Sequence, residues 1–280
     1  MKITNFRLSW VLAVLFLAHP GLGAAAPNPG PVGFEPTILK TIEDLAIDHL
    51  STTSKPGVVV IDLDDTLIDT RYRTANLLRD FAKVATESGG PTEATLRDKL
   101  AAIRAGQAHY DLGDTFKELG VDSSHPDFNA SLVFWKTEFF SSSRCADDVA
   151  FAGAANWVRS LAKNTTVVYL TGRDEPRMGE CTRESLKRSG FPPAVLLMKP
   201  NAQVDDLEFK KQAVATIKTY GEALAVVENE PRNLNALMEA FPTAIGVFVA
   251  TQHSAKPDVP VTGSFWIADF LTPTVFFRGD

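Results

Sequence analysis

Short apolar runs recur along the chain, and between them lie segments whose apolar residues repeat at helical spacing. The runs are VVVIDL at 58–63, TVVYL at 166–170, AVLLM at 194–198, ALAVVE at 223–228 and AIGVFVA at 244–250. Helical spacing is found at 37–50, 154–163, 175–189, 207–220 and 231–241. Continuous β-branched runs are typical of strands covered on both faces, and strands that alternate with helices indicate βαβ units. The pattern predicts an α/β fold with a Rossmann-like, doubly wound parallel sheet.

The stretch 71–150 breaks this alternation. It holds four helix-like segments and no strand-like run, and the segments are 71–86, 92–105, 114–119 and 126–140. A helical cap inserted between the first and second core strands is the simplest interpretation. We therefore predict an α/β core formed by 26–70 plus 151–280, with the cap insertion at 71–150.

The first 25 residues have the features of an export signal. Lys2 and Arg7 form a basic start, LSWVLAVLFLA at 8–18 is apolar, and the small residues of HPGLGAAAP follow at 19–27. Because the apolar stretch is short for a membrane span, we predict a signal peptide that is cleaved near 24–27. The protein would then be secreted or periplasmic, with no stable membrane insertion after cleavage. An uncleaved anchor is the alternative.

Composition and charge limit the class of protein. With 280 residues, 45% of them hydrophobic, the chain can bury a core and one inserted subdomain. The net charge is −6, and no cluster of Lys and Arg with interleaved aromatic residues occurs, which disfavours binding to long nucleic acid. The two cysteines, Cys145 and Cys181, either form a disulfide in an oxidising compartment or pack as buried thiols.

Polar residues follow three of the predicted strands at the point where each strand ends. Strand one is followed by Asp62, Asp64, Asp65 and Thr66, strand two by Thr171, Gly172 and Arg173, and strand four by Glu228, Asn229 and Glu230. The carboxyl ends of parallel strands meet at one edge of a sheet, where ligands bind. Several carboxylates in one pocket need a cation, and oxygen ligands of this kind suit Mg²⁺. The alternative for each acid alone is a helix cap or a solvated turn.

These motifs resemble the haloacid dehalogenase superfamily of phosphohydrolases. DLDDTL at 62–67 fits the DxDx[TV] signature after a hydrophobic strand, VVYLTGR at 167–173 fits the second motif, and a Lys and an acidic fourth motif follow. The pattern T..SL...GFP at 182–192, with FK at 209–210 leading a helix, is most similar to secreted acid phosphatases and the polynucleotide phosphatase branch. The resemblance covers the core from about 58 to 250.

The resemblance implies a nucleophilic mechanism. Asp62 would attack phosphorus, and Asp64 would act as general acid and base. The phosphate would be bound by Thr66, Thr171, Gly172 and a third-motif lysine, with Thr171 and the lysine counted among the catalytic residues. That lysine is Lys210 or Lys199, and its place at the start of a helix favours Lys210. Arg173 and Arg177 would face either a phosphate or an ion-pair partner, and Asp65 falls at a variable position of the motif.

The resemblance also implies a Mg²⁺ site built from Asp62, the backbone carbonyl of Asp64 and acids of the fourth motif. Here the sequence departs from the family, because the usual pair of Asp residues is replaced by VVENEPRN at 226–233. This stretch offers Glu228, Asn229, Glu230 and Asn233. Glu228 and Asn229 are favoured because they stand at the strand end, whereas Glu230 fits the first turn of a helix.

The sequence therefore predicts an exported Mg²⁺-dependent phosphohydrolase that acts on a small phosphomonoester through an aspartyl-phosphate. A nucleic-acid substrate is disfavoured by the acidic balance, and the oligomeric state is left open. The alternatives are a carbon–halogen hydrolase, against which Asp64 argues, and a non-catalytic binding module. The aromatic residues near the predicted cap are typical of a core, although Phe128, Trp135 or Phe139 could instead line a substrate pocket.

Overall fold

Six parallel strands form one sheet, and their order places the first strand at its centre. The strands are β1 (Gly57–Ile61), β4 (Thr165–Asp174), β5 (Val195–Lys199), β6 (Ala223–Glu228), β7 (Ile245–Val249) and β8 (Phe265–Ile267). Their order across the sheet is β5-β4-β1-β6-β7-β8, and each neighbouring pair runs parallel. The predicted α/β, Rossmann-like class is confirmed. All neighbouring strands are parallel, and the chain extends the sheet from β1 in both directions, through β4 to β5 on one side and through β6 and β7 to β8 on the other.

The structure, a computed structural model, describes residues 37–87, 94–122, 124–254, 256, 258, 260 and 263–271. The predicted export signal at 1–25 lies outside these residues. Within the described part of the chain, no helix is long and apolar enough to cross a membrane. The described residues all belong to one compact unit.

Helices cover both faces of the sheet, and alternate residues of β1 point to the two sides. Val59 and Ile61 pack in one apolar cluster, whereas Val58 and Val60 pack in another. The first cluster includes residues of α1 (Thr37–Thr53), α6 (Ala154–Leu161) and α7 (Glu175–Arg188); the second includes residues of α8 (Asp206–Lys218) and α9 (Pro231–Ala240). Burial on both faces explains why this strand is a continuous apolar run instead of an alternating one.

The helical insertion leaves the core after β1 and returns before β4. It contains α2 (Arg71–Glu87), α3 (Ala94–Ala102), α4 (Leu112–Glu118), α5 (Pro126–Glu138) and two 3₁₀ turns, Ala105–Gln107 and Ser142–Asp147. Leu78, Phe81, Leu100 and Phe116 belong to an apolar cluster of its own. The insertion therefore has a separate small core, and the helices predicted at 71–86, 92–105, 114–119 and 126–140 are all present with shifted ends.

A short antiparallel pair joins the two ends of the insertion. It consists of β2 (Ile68–Asp69) and β3 (Val149–Ala150), with Ile68 opposite Ala150. The sequence analysis did not find β2, β3 or β8, because two or three residues are too few to show a strand period. A disulfide between Cys145 and Cys181 adds a covalent link from the second 3₁₀ turn to α7. Of the two alternatives for the cysteines, the structure contains the disulfide.

Candidate active site

A cavity of about 470 Å³ lies where the carboxyl ends of the central strands meet the insertion. The core contributes Asp62, Asp64, Gly172, Lys210 and Glu228 to its lining, and the insertion contributes residues of α5 and of the segment before α4. The position follows from the topology, since an open parallel sheet leaves a crevice at this edge. Four predicted site residues that follow three different strands are thus brought together with Lys210.

Lys210 connects two of these acids. Its Nζ donates hydrogen bonds of 2.7 Å to Asp62 Oδ1 and of 2.5 Å to Glu228 Oε2, and all three side chains are buried. Asp62 and Glu228 come together because β1 and β6 are neighbours, with Asp62 N bonded to Val227 O at 3.0 Å. Lys210 reaches them from the buried face of α8, which also carries Phe209 and Ala213.

Burial sets the proton affinities of this trio. Burial alone would lower the pKa of Lys210, but Asp62 and Glu228 more than reverse this and raise it. Burial raises the pKa of Glu228 to about 8, and the charge of Asp62 acts in the same direction. Burial also raises the pKa of Asp62. Two carboxylates share one ammonium here, so the group has an excess of negative charge that a further cation could balance.

The other lysine candidate lies apart from Asp62. Lys199, at the end of β5, pairs with Asp206 at 2.6 Å. Asp206 in turn lies against Gly172, where a Cβ atom would come within 2.6 Å of the Asp206 carboxylate. Gly172 therefore lines the cavity with bare backbone, and no larger residue fits without moving Asp206. The structure places Lys210, and not Lys199, beside Asp62.

Asp64 is held by two arginines. Arg173 donates to it through Nε at 3.0 Å and Nη2 at 2.6 Å, and Arg73 donates through Nη2 at 3.3 Å. Burial alone would raise the pKa of Asp64, but Arg173 and Arg73 outweigh burial and lower it below its usual range. Asp64 is therefore present as a carboxylate, the form that accepts a proton.

The same two arginines share a buried partner, Asp148. Arg173 Nη1 donates to Asp148 at 2.8 Å, Arg73 donates to its other oxygen, and Ser185 Oγ donates at 2.8 Å. Arg73 comes from α2 of the insertion and also lies over the ring of Phe139, 4.6 Å from its centroid. Sequence reasoning missed both Arg73 and Asp148, because neither follows a core strand or belongs to a motif. For Arg173 it left a phosphate contact or an ion pair open, and the structure contains the ion pair.

The two predicted phosphate-binding threonines are buried among protein groups. Thr66 Oγ1 donates to Asn229 Oδ1 at 3.0 Å and accepts from Asn229 N at 3.1 Å. Thr171 Oγ1 accepts from Arg173 N at 3.2 Å. Both side chains are fully buried, and neither is among the described residues that line the cavity. Thr66 thus links the ends of β1 and β6, whereas the contact of Thr171 stays within its own strand; the phosphate contact of both residues stays a prediction.

Asp65, which falls at a variable position of the motif, is buried and hydrogen-bonded in this chain. Its backbone adopts a φ of 58°, a left-handed conformation that is uncommon outside glycine. Its carboxylate accepts hydrogen bonds from Thr70 and from Gln252 Nε2. Burial raises the pKa of Asp65 to about 7. The residue thus fastens the turn after β1 to the segment after β7.

The oxygen donors at the cavity fit the chemistry of Mg²⁺. No group of three or more His, Cys, Asp or Glu among the described residues could hold a metal ion. Mg²⁺, however, is commonly held by one or two carboxylates and keeps several waters. Asp62 and Glu228 converge on one ammonium, which shows that both carboxylates can reach a single cation.

The neutral donor is better supplied by Asn233 than by Asn229. The side chain of Asn229 is engaged on both atoms, because Oδ1 accepts from Thr66 and Nδ2 donates to Gln252 O at 2.8 Å. Asn233, in the first turn of α9, lines the same cavity, and its Oδ1 is buried with no hydrogen-bond partner among the described residues. A buried amide oxygen in this state has an unused acceptor for a cation or a water.

Comparison with known proteins gives structural matches only. No protein-family model matches the sequence, and no curated protein matches it. The solved structures that match include hydrolases of haloacid dehalogenase type, the superfamily that the motifs at 62–67 and 167–173 resemble.

Three matches illustrate the degree of similarity. A haloacid dehalogenase-like hydrolase from Streptococcus pneumoniae is 14% identical over 72% of this chain and 89% of that chain, with a TM-score of 0.45. Protein tyrosine kinase A from Mycobacterium tuberculosis is 16% identical over 76% and 94%, with a TM-score of 0.47. A putative phosphatase from Clostridium difficile is 16% identical over 72% and 88%, with a TM-score of 0.45. Similarities of this degree assign no activity, and the two narrower branches of the superfamily stay predictions.

Proposed function

We propose that the chain is an exported, Mg²⁺-dependent phosphohydrolase of haloacid dehalogenase type that cleaves phosphomonoesters. The observation that supports this proposal is the bridge from Lys210 to Asp62 and Glu228 at the floor of a closed-over cavity. A buried ammonium that holds a carboxylate in a cavity can lower the repulsion between that carboxylate and an incoming phosphate. A binding module would have no need to bury two carboxylates around one lysine.

The reaction has two steps. A carboxylate oxygen of Asp62 attacks phosphorus, the bond to the alcohol oxygen breaks, and the electron pair leaves with that oxygen, which takes a proton from protonated Asp64. Water then attacks the aspartyl-phosphate and gives a proton to Asp64, while the bond between phosphorus and the Asp62 oxygen breaks. Inorganic phosphate leaves and both acids are restored. Arg173 and Arg73 favour the carboxylate form of Asp64, which supports its use as the base of the second step, whereas the first step requires that Asp64 take up a proton before the ester bond breaks.

Asp62, the backbone carbonyl of Asp64 and Glu228 would hold Mg²⁺, with Asn233 or Asn229 as the neutral donor. When bound, Mg²⁺ neutralises charge on the phosphoryl oxygens and on the surrounding carboxylates. Lys210 supplies a second positive charge from the buried face of α8. Phosphate binding by Gly172 would use its backbone, since the glycine lines the cavity without a side chain.

Phosphate release by the purified protein tests the proposal. A panel of phosphate esters, p-nitrophenyl phosphate among them, is incubated with and without Mg²⁺, and we expect release that depends on Mg²⁺. Asp62→Asn should abolish turnover and keep the fold intact, as judged by circular dichroism, because Lys210 still pairs with Glu228. Asp44→Asn, an equal change at an exposed acid of α1, should keep full activity.

The alternatives give different results in the same assay. The absence of phosphate release from every ester would favour the binding module, and halide release from a 2-haloalkanoate without phosphate release would favour the dehalogenase. Full activity of Asp62→Asn would remove the nucleophile. Export is tested separately, by locating the full-length chain in cell fractions and by sequencing the N-terminus of the mature form, which we expect near residues 24–27.

A further inference from the structure

One face of α5 and its continuation forms a wall of the cavity. Leu132, Trp135, Lys136, Phe139 and Phe140 all line the cavity, and their spacing of three and four residues places them on one side of a helix. Four of these five side chains are apolar and three are aromatic. A phosphate ester whose reacting group sits at Asp62 must place its alcohol in this cavity, so the wall faces the leaving group.

The aromatic side chains of this wall pack on one another. The ring centroids of Trp135 and Phe139 are 4.5 Å apart, and those of Phe139 and Phe140 are 4.9 Å apart. Trp135 Nε1 donates to Thr74 Oγ1 of α2 at 3.1 Å. Because the polar atom of the indole is bonded within the insertion, the ring is held in place and offers apolar surface to the cavity. Phe128, the third aromatic residue considered from the sequence, packs on Phe116 instead.

A second apolar part of the lining comes from the start of α4. Tyr110 precedes this helix, Leu112 is its first residue, and both line the cavity. Burial raises the pKa of Tyr110 to about 12, and the carboxylates of Glu230, Asp206 and Asp65 act in the same direction. The phenol is therefore neutral at physiological pH. Two segments of the insertion thus contribute rings to the cavity, α5 with its continuation and the start of α4.

The charged residues of the lining disfavour a second anionic group on the substrate. Asp65, Asp111 and Glu230 line the cavity, and within the described ranges none of them pairs with a Lys or Arg. Asp206 is matched by Lys199, and Lys136 is a cation of the wall. When Asp62, Asp64, Lys210 and Glu228 are set aside, the cavity lining therefore has more acids than lysines. Like charges at short range in a partly buried site repel one another, because solvent screens them less there than at the surface.

Resting on the proposed function, we propose that the substrate is a phosphomonoester whose alcohol carries an aromatic ring and no further anionic group. The ring would pack on Trp135 and Phe139, and the phosphate would reach Asp62 and Lys210. Aromatic surface explains why the wall is built from rings, since flat rings gain from offset or edge contacts beyond their buried area. The acids exclude esters with a carboxylate or a second phosphate.

The test compares esters whose alcohols have similar basicity and differ in one property. Benzyl phosphate carries the ring, propyl phosphate lacks it, and 4-carboxybenzyl phosphate adds an anionic group. We expect kcat/KM for benzyl phosphate to exceed that for propyl phosphate by about tenfold or more, because the ring adds buried apolar area and aromatic contacts. We expect kcat/KM for 4-carboxybenzyl phosphate to be about tenfold lower than that for benzyl phosphate, because its carboxylate meets the acids of the lining.

Two pairs of variants assign these preferences to residues. Trp135→Leu keeps an apolar side chain and should reduce the ratio of benzyl to propyl kcat/KM by roughly threefold to tenfold. Val133→Ala, a truncation on the exposed side of the same helix, should leave the ratio unchanged. Glu230→Gln should raise kcat/KM for 4-carboxybenzyl phosphate relative to that for benzyl phosphate. Glu239→Gln, on the exposed side of α9, should leave this ratio unchanged.

Failure of this inference is distinct from failure of the proposed function. If propyl phosphate and benzyl phosphate are both hydrolysed with equal kcat/KM, or if Trp135→Leu keeps the wild-type ratio, the aromatic substrate class is wrong while the phosphatase stands. If none of the three esters releases phosphate with Mg²⁺, the proposed function itself is wrong.

Discussion

The carboxylate of Asp148 accepts a hydrogen bond of 2.8 Å from the guanidinium of Arg173, and neither side chain reaches solvent. Asp148 stands at the end of the insertion, whereas Arg173 stands at the end of β4 in the core. Because Arg173 also holds Asp64, the position of the proposed acid and base depends on a residue outside every motif. Removing one partner of such a buried pair is strongly destabilising, because the other charge is then left buried without compensation.

Asp148→Asn should therefore destabilise the protein strongly. It removes the negative charge that faces both Arg73 and Arg173, and breaking a buried ion pair typically costs about 3–5 kcal/mol. Denaturant unfolding of the variant and the wild type measures the difference. Asp147→Asn is the control, because Asp147 is more exposed and its partners, Asn76 and Arg144, are near the surface. Equal stability of Asp148→Asn and the wild type would contradict this account.

The same pair should make stability depend on acidity. Burial would raise the pKa of Asp148, but Arg173 and Arg73 outweigh it and hold the pKa at about 2. Since this lies below the unfolded value of about 3.9, the contribution is complete above pH 4–5 and is lost as the pH falls through about 2. The stability difference between the wild type and Asp148→Asn should shrink by about 2 kcal/mol from pH 5 to pH 2. A difference that stays constant over this range would show that Asp148 has no lowered pKa.

Adjacent lysines of α8 offer a matched comparison. Lys210→Met should abolish turnover, because it removes the ammonium between Asp62 and Glu228, and should lower stability by roughly 3–5 kcal/mol through two unpaired buried acids. Lys211→Met should keep full activity and change the free energy of unfolding by no more than about 0.5 kcal/mol, since Lys211 is half exposed and pairs with the exposed Glu208. Phosphate release and denaturant unfolding measure both. Activity of Lys210→Met equal to that of Lys211→Met would exclude the bridge from the site.

The disulfide should stabilise the join between the insertion and the core. Cys145 and Cys181 are 36 residues apart, and closing a loop of this length removes about 3–4 kcal/mol of unfolded-chain entropy. Thermal unfolding should therefore shift to lower temperature with reductant, and the Cys145→Ser/Cys181→Ser variant should match the reduced wild type. The variant itself should not respond to reductant. An unchanged transition on reduction would mean that the bond adds nothing to stability.

The sequence predicted those site residues whose position follows from the sheet. Asp62 and Glu228 end strands that are neighbours, and their meeting is a property of any parallel sheet with this strand order. The position of Lys210 was harder to predict from the sequence, because it depends on which face of α8 is buried. Apolar residues at 209, 213 and 217 share that face and could have decided between Lys210 and Lys199.

What could not be predicted depends on contacts across the insertion. Arg73 meets Asp148 only because the two ends of the insertion lie side by side, and no spacing along the chain signals this. Thr66 and Thr171 occupy the expected motif positions, yet the hydroxyl of Thr66 bonds to Asn229 at the end of β6, and that of Thr171 accepts from Arg173 N of its own strand. The motif places Asp65 at a variable position. Its left-handed backbone and its contact with Gln252 are tertiary features that the motif does not reveal.

The pairing of Ile68 with Ala150 means that the chain leaves the core and re-enters it at neighbouring positions. Asp62, Lys210 and Glu228 all lie outside the intervening residues, so the core could keep its chemistry while the segment between these two strands is exchanged. A replacement of different length, or a short turn, would join the same two strand ends without altering the central sheet. It would have to supply counterparts to Arg73 and Asp148, which hold Asp64 and Arg173, and it would bring its own wall to the cavity. Exchange of the insertion would therefore be expected to change which substrate fits the cavity, while the central sheet stays the same.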